Sequence, residues 1–216
     1  MSTDDKKILV WDAPVRVFHW LMVLSFAGAY LTAESERWRL VHVTLGYTLG
    51  GLVAFRLLWG CVGTRHARFA NFVRGPAAVM RYLRSLLNEP PEHHLGHNPA
   101  GAVAIVLLLL SSIVIVGTGW ASYNSVGGNW VAEWHEGASA FMLAVVLVHV
   151  AGVAVSSLLH RENLVRAMVT GNKQGSTDHG IDQGNEQGIK RPWRVLAIVM
   201  GLAVLGFWWL QWRGAP

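Results

Sequence analysis

The sequence contains one cysteine, Cys61, and few charged residues. A single cysteine cannot form an internal disulfide, a structural zinc site or the CxxCH attachment of a c-type haem. Charged residues make up 14% of the chain, against about 25% in average globular proteins. Together with 52% hydrophobic residues, this composition argues against a soluble enzyme and predicts an integral membrane protein.

Five apolar stretches are long enough, or nearly long enough, to cross a bilayer. A hydrocarbon core of about 30 Å needs about 20 helical residues. The stretches lie at about 17–33, 39–62, 99–120, 131–159 and 194–212. The predicted fold is therefore all-α, an antiparallel four-helix membrane bundle with an additional fifth transmembrane helix.

The distribution of the 18 Lys and Arg residues predicts the orientation. If the N-terminus is cytoplasmic, most of them lie in cytoplasmic segments, and the outer side has only Arg37, Arg39 and Arg213. The positive-inside rule therefore places the N-terminus in the cytoplasm and the C-terminus in the periplasm. Although the net charge is +5, this sorting by side makes the lipid bilayer, and not nucleic acid, the expected partner.

The segments between the spans predict three regions. Residues 1–170 form the four-helix domain, with a cytoplasmic amphipathic helix near 76–88 that starts at Pro76. Residues 171–192 are polar and Gly-rich, as expected of a flexible linker. Residues 193–216 contain the fifth helix, which is expected either to dock another subunit or to brace the bundle.

Four of the ten histidines lie inside apolar spans, where an ionisable side chain is costly and usually functional. The antiparallel order of the spans places His42 and His135 near the outer side and His19 and His149 near the inner side. His135 and His149 are separated by about 21 Å along one helix and face nearly the same direction. The sequence therefore predicts two histidine pairs, His42 with His135 and His19 with His149.

Each pair supplies two imidazoles, the axial ligand set of a non-covalently bound b-type haem. Two haem b groups at two depths are the predicted cofactors. Gly46 and Gly137 lie near the ligands and are expected to allow a macrocycle close to the backbone, although packing between helices also uses glycine. The alternative is a haem-free transporter of metal ions or protons lined by histidine.

Two arginines are expected near the inner haem. Arg56 follows His42 by fourteen residues and so lies on nearly the same helix face at the inner level. Because no acidic residue occurs in the apolar interior of the spans, a haem propionate is its expected partner. Arg16, one turn before His19, is a second candidate, although extension of its side chain to the lipid headgroups explains its position equally well.

These histidines stand in short motifs that resemble the prokaryotic cytochrome b-561 family and the related b-type cytochrome subunits of nickel-iron hydrogenases. The motifs are Val17-Phe-His19-Trp20, Val41-His42-Val-Thr-Leu-Gly46-Tyr47, Trp134-His135-Glu136, Val148-His149 and Gly96-His97-Asn98-Pro99-Ala-Gly101. The likeness covers about residues 10–170. The fifth helix lies outside this range and has no ligand.

The resemblance implies a di-haem bundle in a bacterial inner membrane that exchanges electrons with the quinone pool, ubiquinone or menaquinone. Its redox partner is then a c-type cytochrome, a hydrogenase subunit or a small oxidant such as superoxide, so the chain is either an electron-transfer subunit or a quinol-linked oxidoreductase. His97, Asn98 and Arg16 are the candidate quinone contacts, because they lie at the cytoplasmic interface. For Asn98, capping of the helix that starts at Pro99 is the alternative.

Overall fold

The computed structural model describes residues 7–86, 94–174 and 188–214. Five long helices dominate it, joined by short helices and two short strands. In chain order the elements are β1 (Lys7–Leu9), α1 (Ala13–Thr32), a 3-10 turn (Glu36–Trp38), α2 (Arg39–Val62), α3 (Phe69–Phe72), α4 (Pro76–Ser85), α5 (Pro99–Tyr123), α6 (Asn129–Leu159), α7 (Leu164–Thr170), β2 (Asn172–Gln174) and α8 (Arg194–Arg213).

The five predicted spans are confirmed as α1, α2, α5, α6 and α8, each long and apolar enough to cross a membrane. The first span begins earlier than predicted, because Asp12 caps α1 by accepting a 2.8 Å hydrogen bond from the Val15 amide. Asn98 caps α5 in the same way, accepting from the Gly101 amide at 2.6 Å. At about 47 Å, α6 is longer than the hydrocarbon core is thick.

The long helices pack in a series, not as a closed ring. Helix α8 packs on α1, α1 on α2, α2 on α5, and α5 on α6. The backbone of α6 approaches that of α1 or α2 closely at very few positions. We call the boundary between α6 and these two helices the seam. In each predicted histidine pair one histidine lies on α6 and the other on α1 or α2, so each pair spans the seam.

One end of the bundle is closed by segments from distant parts of the chain; we call it the inner end. Strand β1 pairs antiparallel with β2, with Lys7 opposite Gln174. The Val10 and Trp11 amides donate to the Gly171 carbonyl, and the Ala13 amide to the Pro192 carbonyl. The sequence did not predict these strands, and part of the predicted linker takes part in them. Residues 175–187 of that linker lie outside the described residues.

Helix α8 packs against α1 and α2. The indole Nε1 of Trp208 donates to Thr48 Oγ1 of α2 at 2.8 Å. Most of its other large side chains, among them Val195, Leu202 and Leu210, are more than half exposed and face the space that lipid occupies in a membrane.

Helix α4 lies in the region predicted to form the amphipathic helix near 76–88, and it ends at Ser85. It buries Tyr82, whose ring lies 5.5 Å from that of His94, and exposes Met80 and Leu83. Because it lies at the inner end beside α5, it is placed to lie along the membrane interface.

Candidate functional site

His42 of α2 and His135 of α6 meet toward the outer end, which we define by the connections 33–38 and 124–128. Their ring centres are 6.1 Å apart, and the ring planes make an angle of 71°. A metal–imidazole bond is about 2 Å long and a ring nitrogen lies about 1 Å from its ring centre, so two imidazoles on opposite sides of one metal have centres about 6 Å apart. The separation therefore fits two axial ligands of one iron.

The hydrogen bonds of the two rings fix which nitrogen is free. His42 Nδ1 lies 2.9 Å from the Ala29 carbonyl of α1, and His135 Nδ1 lies 3.0 Å from the Ile115 carbonyl of α5. A carbonyl oxygen only accepts, so both Nδ1 atoms carry the proton and both Nε2 atoms keep a lone pair. This is the tautomer that a histidine adopts when Nε2 binds a metal.

The inner pair is arranged differently. His19 of α1 and His149 of α6 lie within electrostatic range of each other across the open seam. His19 Nδ1 is buried, and it has no hydrogen-bond partner among the described residues. A buried ring nitrogen without a hydrogen-bond partner is costly in a protein interior. A ring nitrogen that coordinates a metal needs no such partner. The outer pair thus has the spacing, and the inner pair the donor type, that a bis-imidazole haem needs.

A small hydrophobic cluster lies between the two histidine levels. Each of the four bundle helices contributes one buried residue: Phe26, Leu49, Ile115 and Met142. In this cluster α6 reaches α1 and α2. The two levels are therefore separated by buried apolar side chains.

Two predicted glycines have open space where a Cβ would lie. Gly46 lies one turn after His42, which leaves room beside that ring. Gly137 is about 200° around α6 from His135, and it lines a groove of about 560 Å³ between α5 and α6 with Leu107, Val114 and Phe141. The structure therefore places Gly46, but not Gly137, on the face of its neighbouring ligand.

Gly119 of α5 was missed by the sequence reasoning. A Cβ at this position would lie 2.9 Å from Cε1 of His135, so the absence of a side chain allows the imidazole to lie against the helix. The sequence does contain a signal for this space, the three small residues Gly117-Thr118-Gly119 at the depth of His135. The signal can be interpreted only once it is known that α5 packs against α6.

Arg56 is buried near the inner end, as predicted, with 3% of its surface exposed. Its Nη1 donates to the Ala67 carbonyl at 3.0 Å, and its guanidinium lies 4.7 Å from the Phe69 ring centre. The nearby carboxylate of Asp12 attracts this charge. Asp12 lies outside the predicted spans, which is why the sequence indicated no acidic partner for Arg56. The burial of Arg56 therefore does not by itself require a propionate.

Asp12 joins three elements at the inner end and is fully buried. Besides capping α1, its carboxylate accepts from Trp59 Nε1 at 3.0 Å and from Thr64 Oγ1 at 2.6 Å. The sequence Asp12-Ala-Pro14 before an apolar run is a helix-start signal from which this cap was predictable.

Replacing Asp12 with alanine is expected to destabilise the protein by about 3 kcal/mol, because two buried donors and one partly buried donor lose their carboxylate acceptor. The midpoint of thermal unfolding in detergent, followed by circular dichroism, measures the loss. Glu36→Ala is the matched control, since this carboxylate is exposed and makes only a 3.7 Å surface ion pair with Arg39. Equal midpoints for the two variants would contradict the role given to Asp12.

The three candidate quinone contacts lie at the inner end in different surroundings. Arg16 donates from Nη1 to the Thr170 carbonyl at 2.7 Å, which ties α1 to α7. Asn98 is the cap of α5, so the capping interpretation of this residue is confirmed. His97 lies between Trp11 and Phe72, with a ring-centre distance of 4.5 Å to each.

His97 remains neutral at physiological pH. Burial is the main reason that the pKa of His97 is lowered to about 3, and the nearby charges of Arg56, His66, Lys173 and His149 contribute to the same shift. Its Nδ1 is buried without a hydrogen-bond partner in the described part of the chain. The imidazole therefore places a ring nitrogen without a hydrogen-bond partner between two aromatic side chains, a combination suited to contact with an aromatic ligand that carries a hydroxyl group.

A family model described as prokaryotic cytochrome b561 matches residues 10–171. The matched range includes all four span histidines, His97, and Asp12 with its partners Trp59 and Thr64. It ends at the glycine before β2.

Curated relatives match over a similar range. A probable Ni/Fe-hydrogenase B-type cytochrome subunit of Azotobacter chroococcum mcd 1 is 27% identical, covering 76% of this chain and 87% of the relative. The protein described in the same words from Cupriavidus necator is 26% identical, covering 77% and 86%. A probable Ni/Fe-hydrogenase 1 B-type cytochrome subunit of Escherichia coli K12 is 25% identical, covering 75% and 88%. No solved structure matches the chain.

Proposed function

Because the chain belongs to the prokaryotic cytochrome b561 family, we propose that it transfers electrons between the quinone pool and a redox partner through two haems at two levels of a bacterial inner membrane. Membership of this family makes the chain a membrane protein of electron transfer that carries haem b. The observation that supports the proposal most strongly is the 6.1 Å separation of His42 and His135 across the seam.

In this proposal His42 and His135 hold the outer haem, and His19 and His149 hold the inner haem. Bound haem b supplies reversible one-electron chemistry. The chain's own residues fix the ligand orientation through the Ala29 and Ile115 carbonyls. The cluster of Phe26, Leu49, Ile115 and Met142 keeps water out between the two histidine levels. Because an interior without water screens charges weakly, a charge such as that of Arg56 has a stronger influence on the reduction potentials of the haems.

The quinone is proposed to react at the inner end beside His97. Trp11 and Phe72 provide aromatic walls, and the neutral imidazole provides a hydrogen-bond acceptor for a quinol hydroxyl. Asn98 and Arg16 border this region, but each already has a structural hydrogen bond. We therefore assign His97 the principal contact and the other two residues the edges of the site.

The redox partner is proposed to dock at the outer end, because the outer histidine pair lies close to the short connections 33–38 and 124–128. Relatives described as hydrogenase cytochrome subunits favour a hydrogenase over a free c-type cytochrome or a small oxidant. The positive-inside rule favours a cytoplasmic inner end, since Arg65, Arg68 and Arg74 lie there.

Reduction by quinol tests this function. The purified full-length protein, reconstituted in liposomes, is mixed with a short-chain quinol, and the reduced-minus-oxidised absorbance of haem b is recorded. We expect both haems to become partly reduced on the time scale that a stopped-flow experiment resolves. A protein whose haems are reduced by dithionite but not by ubiquinol or menaquinol analogues would contradict the quinone assignment.

A further inference from the structure

Three residues of α5 hold the ring of His135 in place. The Ile115 carbonyl lies 3.0 Å from Nδ1, and the Thr118 hydroxyl lies 3.3 Å from the same atom. Gly119 lies beneath the ring, where any side chain would meet Cε1. Among the described residues, His42 in contrast makes a ring hydrogen bond with the Ala29 carbonyl alone. The two ligands of the outer pair are therefore held unequally.

The direction of the Thr118 hydrogen bond follows from the other contact of its hydroxyl. Thr118 Oγ1 lies 2.6 Å from the Val114 carbonyl of its own helix and donates its only proton there. Toward His135 the oxygen consequently acts as an acceptor. The Nδ1 proton of His135 is then shared between the Ile115 carbonyl and the Thr118 hydroxyl, and Nε2 stays unprotonated.

We propose that Thr118 is a positioning residue that fixes the ring orientation and the ligand strength of His135. The inference rests on the proposed binding of haem by this histidine. An acceptor on Nδ1 makes the imidazole a stronger electron donor, which stabilises ferric over ferrous iron and lowers the reduction potential. Thr118 therefore acts on the outer haem without touching it, and Gly119 provides the space that the arrangement needs.

The test compares Thr118→Val with Thr118→Ser. Valine has nearly the same shape but no acceptor, whereas serine keeps the hydroxyl. Ser111→Ala is the matched control, because Ser111 also bonds back to its own helix, at 2.7 Å to the Leu107 carbonyl, but touches no histidine. The outer haem is identified as the component of the redox titration that His135→Ala removes.

Loss of one hydrogen bond is expected to change the equilibrium constant for reduction of the outer haem about fivefold, which is about +40 mV at 59 mV per tenfold change. We expect this shift in Thr118→Val and the wild-type value in Thr118→Ser and Ser111→Ala. The low-spin electron paramagnetic resonance signal of the oxidised protein is expected to change only in the valine variant, because it reports the orientation of the axial rings. Loss of the outer haem in Thr118→Val alone also supports the positioning role.

Two results would overturn the inference. Wild-type potentials and spectra in Thr118→Val would show that the hydroxyl does not act on His135. Equal shifts in Thr118→Val and Ser111→Ala, or in Thr118→Val and Thr118→Ser, would show a general effect of packing. If His135→Ala removed no low-spin haem from the wild-type background, the proposed ligation itself would fail, and this outcome is distinct from both.

Discussion

Replacing His135 with alanine is expected to halve the low-spin haem content of the protein. The ring lies at the distance from His42 that two axial ligands of one iron require, and its Nδ1 is oriented by the Ile115 carbonyl. Without His135 the outer haem has one remaining ligand, so it is either lost or becomes high-spin. Haem content and the amplitude of the reduced α-band, both per protein, measure the change.

Double variants test the pairing more sharply than single ones. A His42→Ala/His135→Ala protein removes both ligands of one haem and is expected to keep the inner haem. A His42→Ala/His149→Ala protein removes one ligand from each haem and is expected to lose the low-spin signal of both. The two proteins lack the same number of histidines, so a general effect of histidine loss affects them equally.

His160→Ala serves as the control, because His160 follows the last residue of α6 and lies outside the seam. It is expected to retain both haems. The pairing would be wrong if His42→Ala/His135→Ala lost both haems while His42→Ala/His149→Ala kept one.

Replacing His97 with phenylalanine is expected to slow quinol-dependent reduction about 100-fold while both haems remain reducible by dithionite. Phenylalanine preserves the ring that packs at 4.5 Å from Trp11 and Phe72, and it removes the hydrogen-bonding nitrogens. Because His97 has a pKa of about 3, its expected role is to orient the quinol hydroxyl and not to store its proton. Stopped-flow rates measured against quinol concentration give the effect.

The matched control is His160→Phe, which makes the same substitution at the inner end but away from Trp11 and Phe72. Its quinol-dependent rate is expected to equal that of the wild type. If His97→Phe reacted with quinol at the wild-type rate, the proposed quinone site would lie elsewhere. A parallel loss of reduction by dithionite would show instead that His97 supports the inner haem.

Much of the architecture was predictable because it depends on local patterns. The five spans follow from apolar runs, and the placement of His42 with His135 follows from depth and from the periodicity of a helix. The caps at Asp12 and Asn98 are short-range signals of the same kind, although only Asn98 was interpreted in this way.

The remaining features depend on contacts between residues far apart in the sequence. Strand β1 pairs with a segment more than 160 residues away, and its sequence is too short to show a strand pattern. The role of Thr118 requires the register between α5 and α6, which hydrophobic periodicity does not define. Gly137 was assigned to the haem site for a different reason. It is close to His135 in the sequence, but a separation of two residues places it on another face of α6.

Haem stoichiometry of the purified full-length protein tests the central claim most directly. After expression with sufficient haem supply, a pyridine haemochrome spectrum together with amino-acid analysis gives the number and type of haems per chain. Two haems of type b per chain are the result that the two histidine levels predict. A value of one or none, or a haem of another type, would contradict the account.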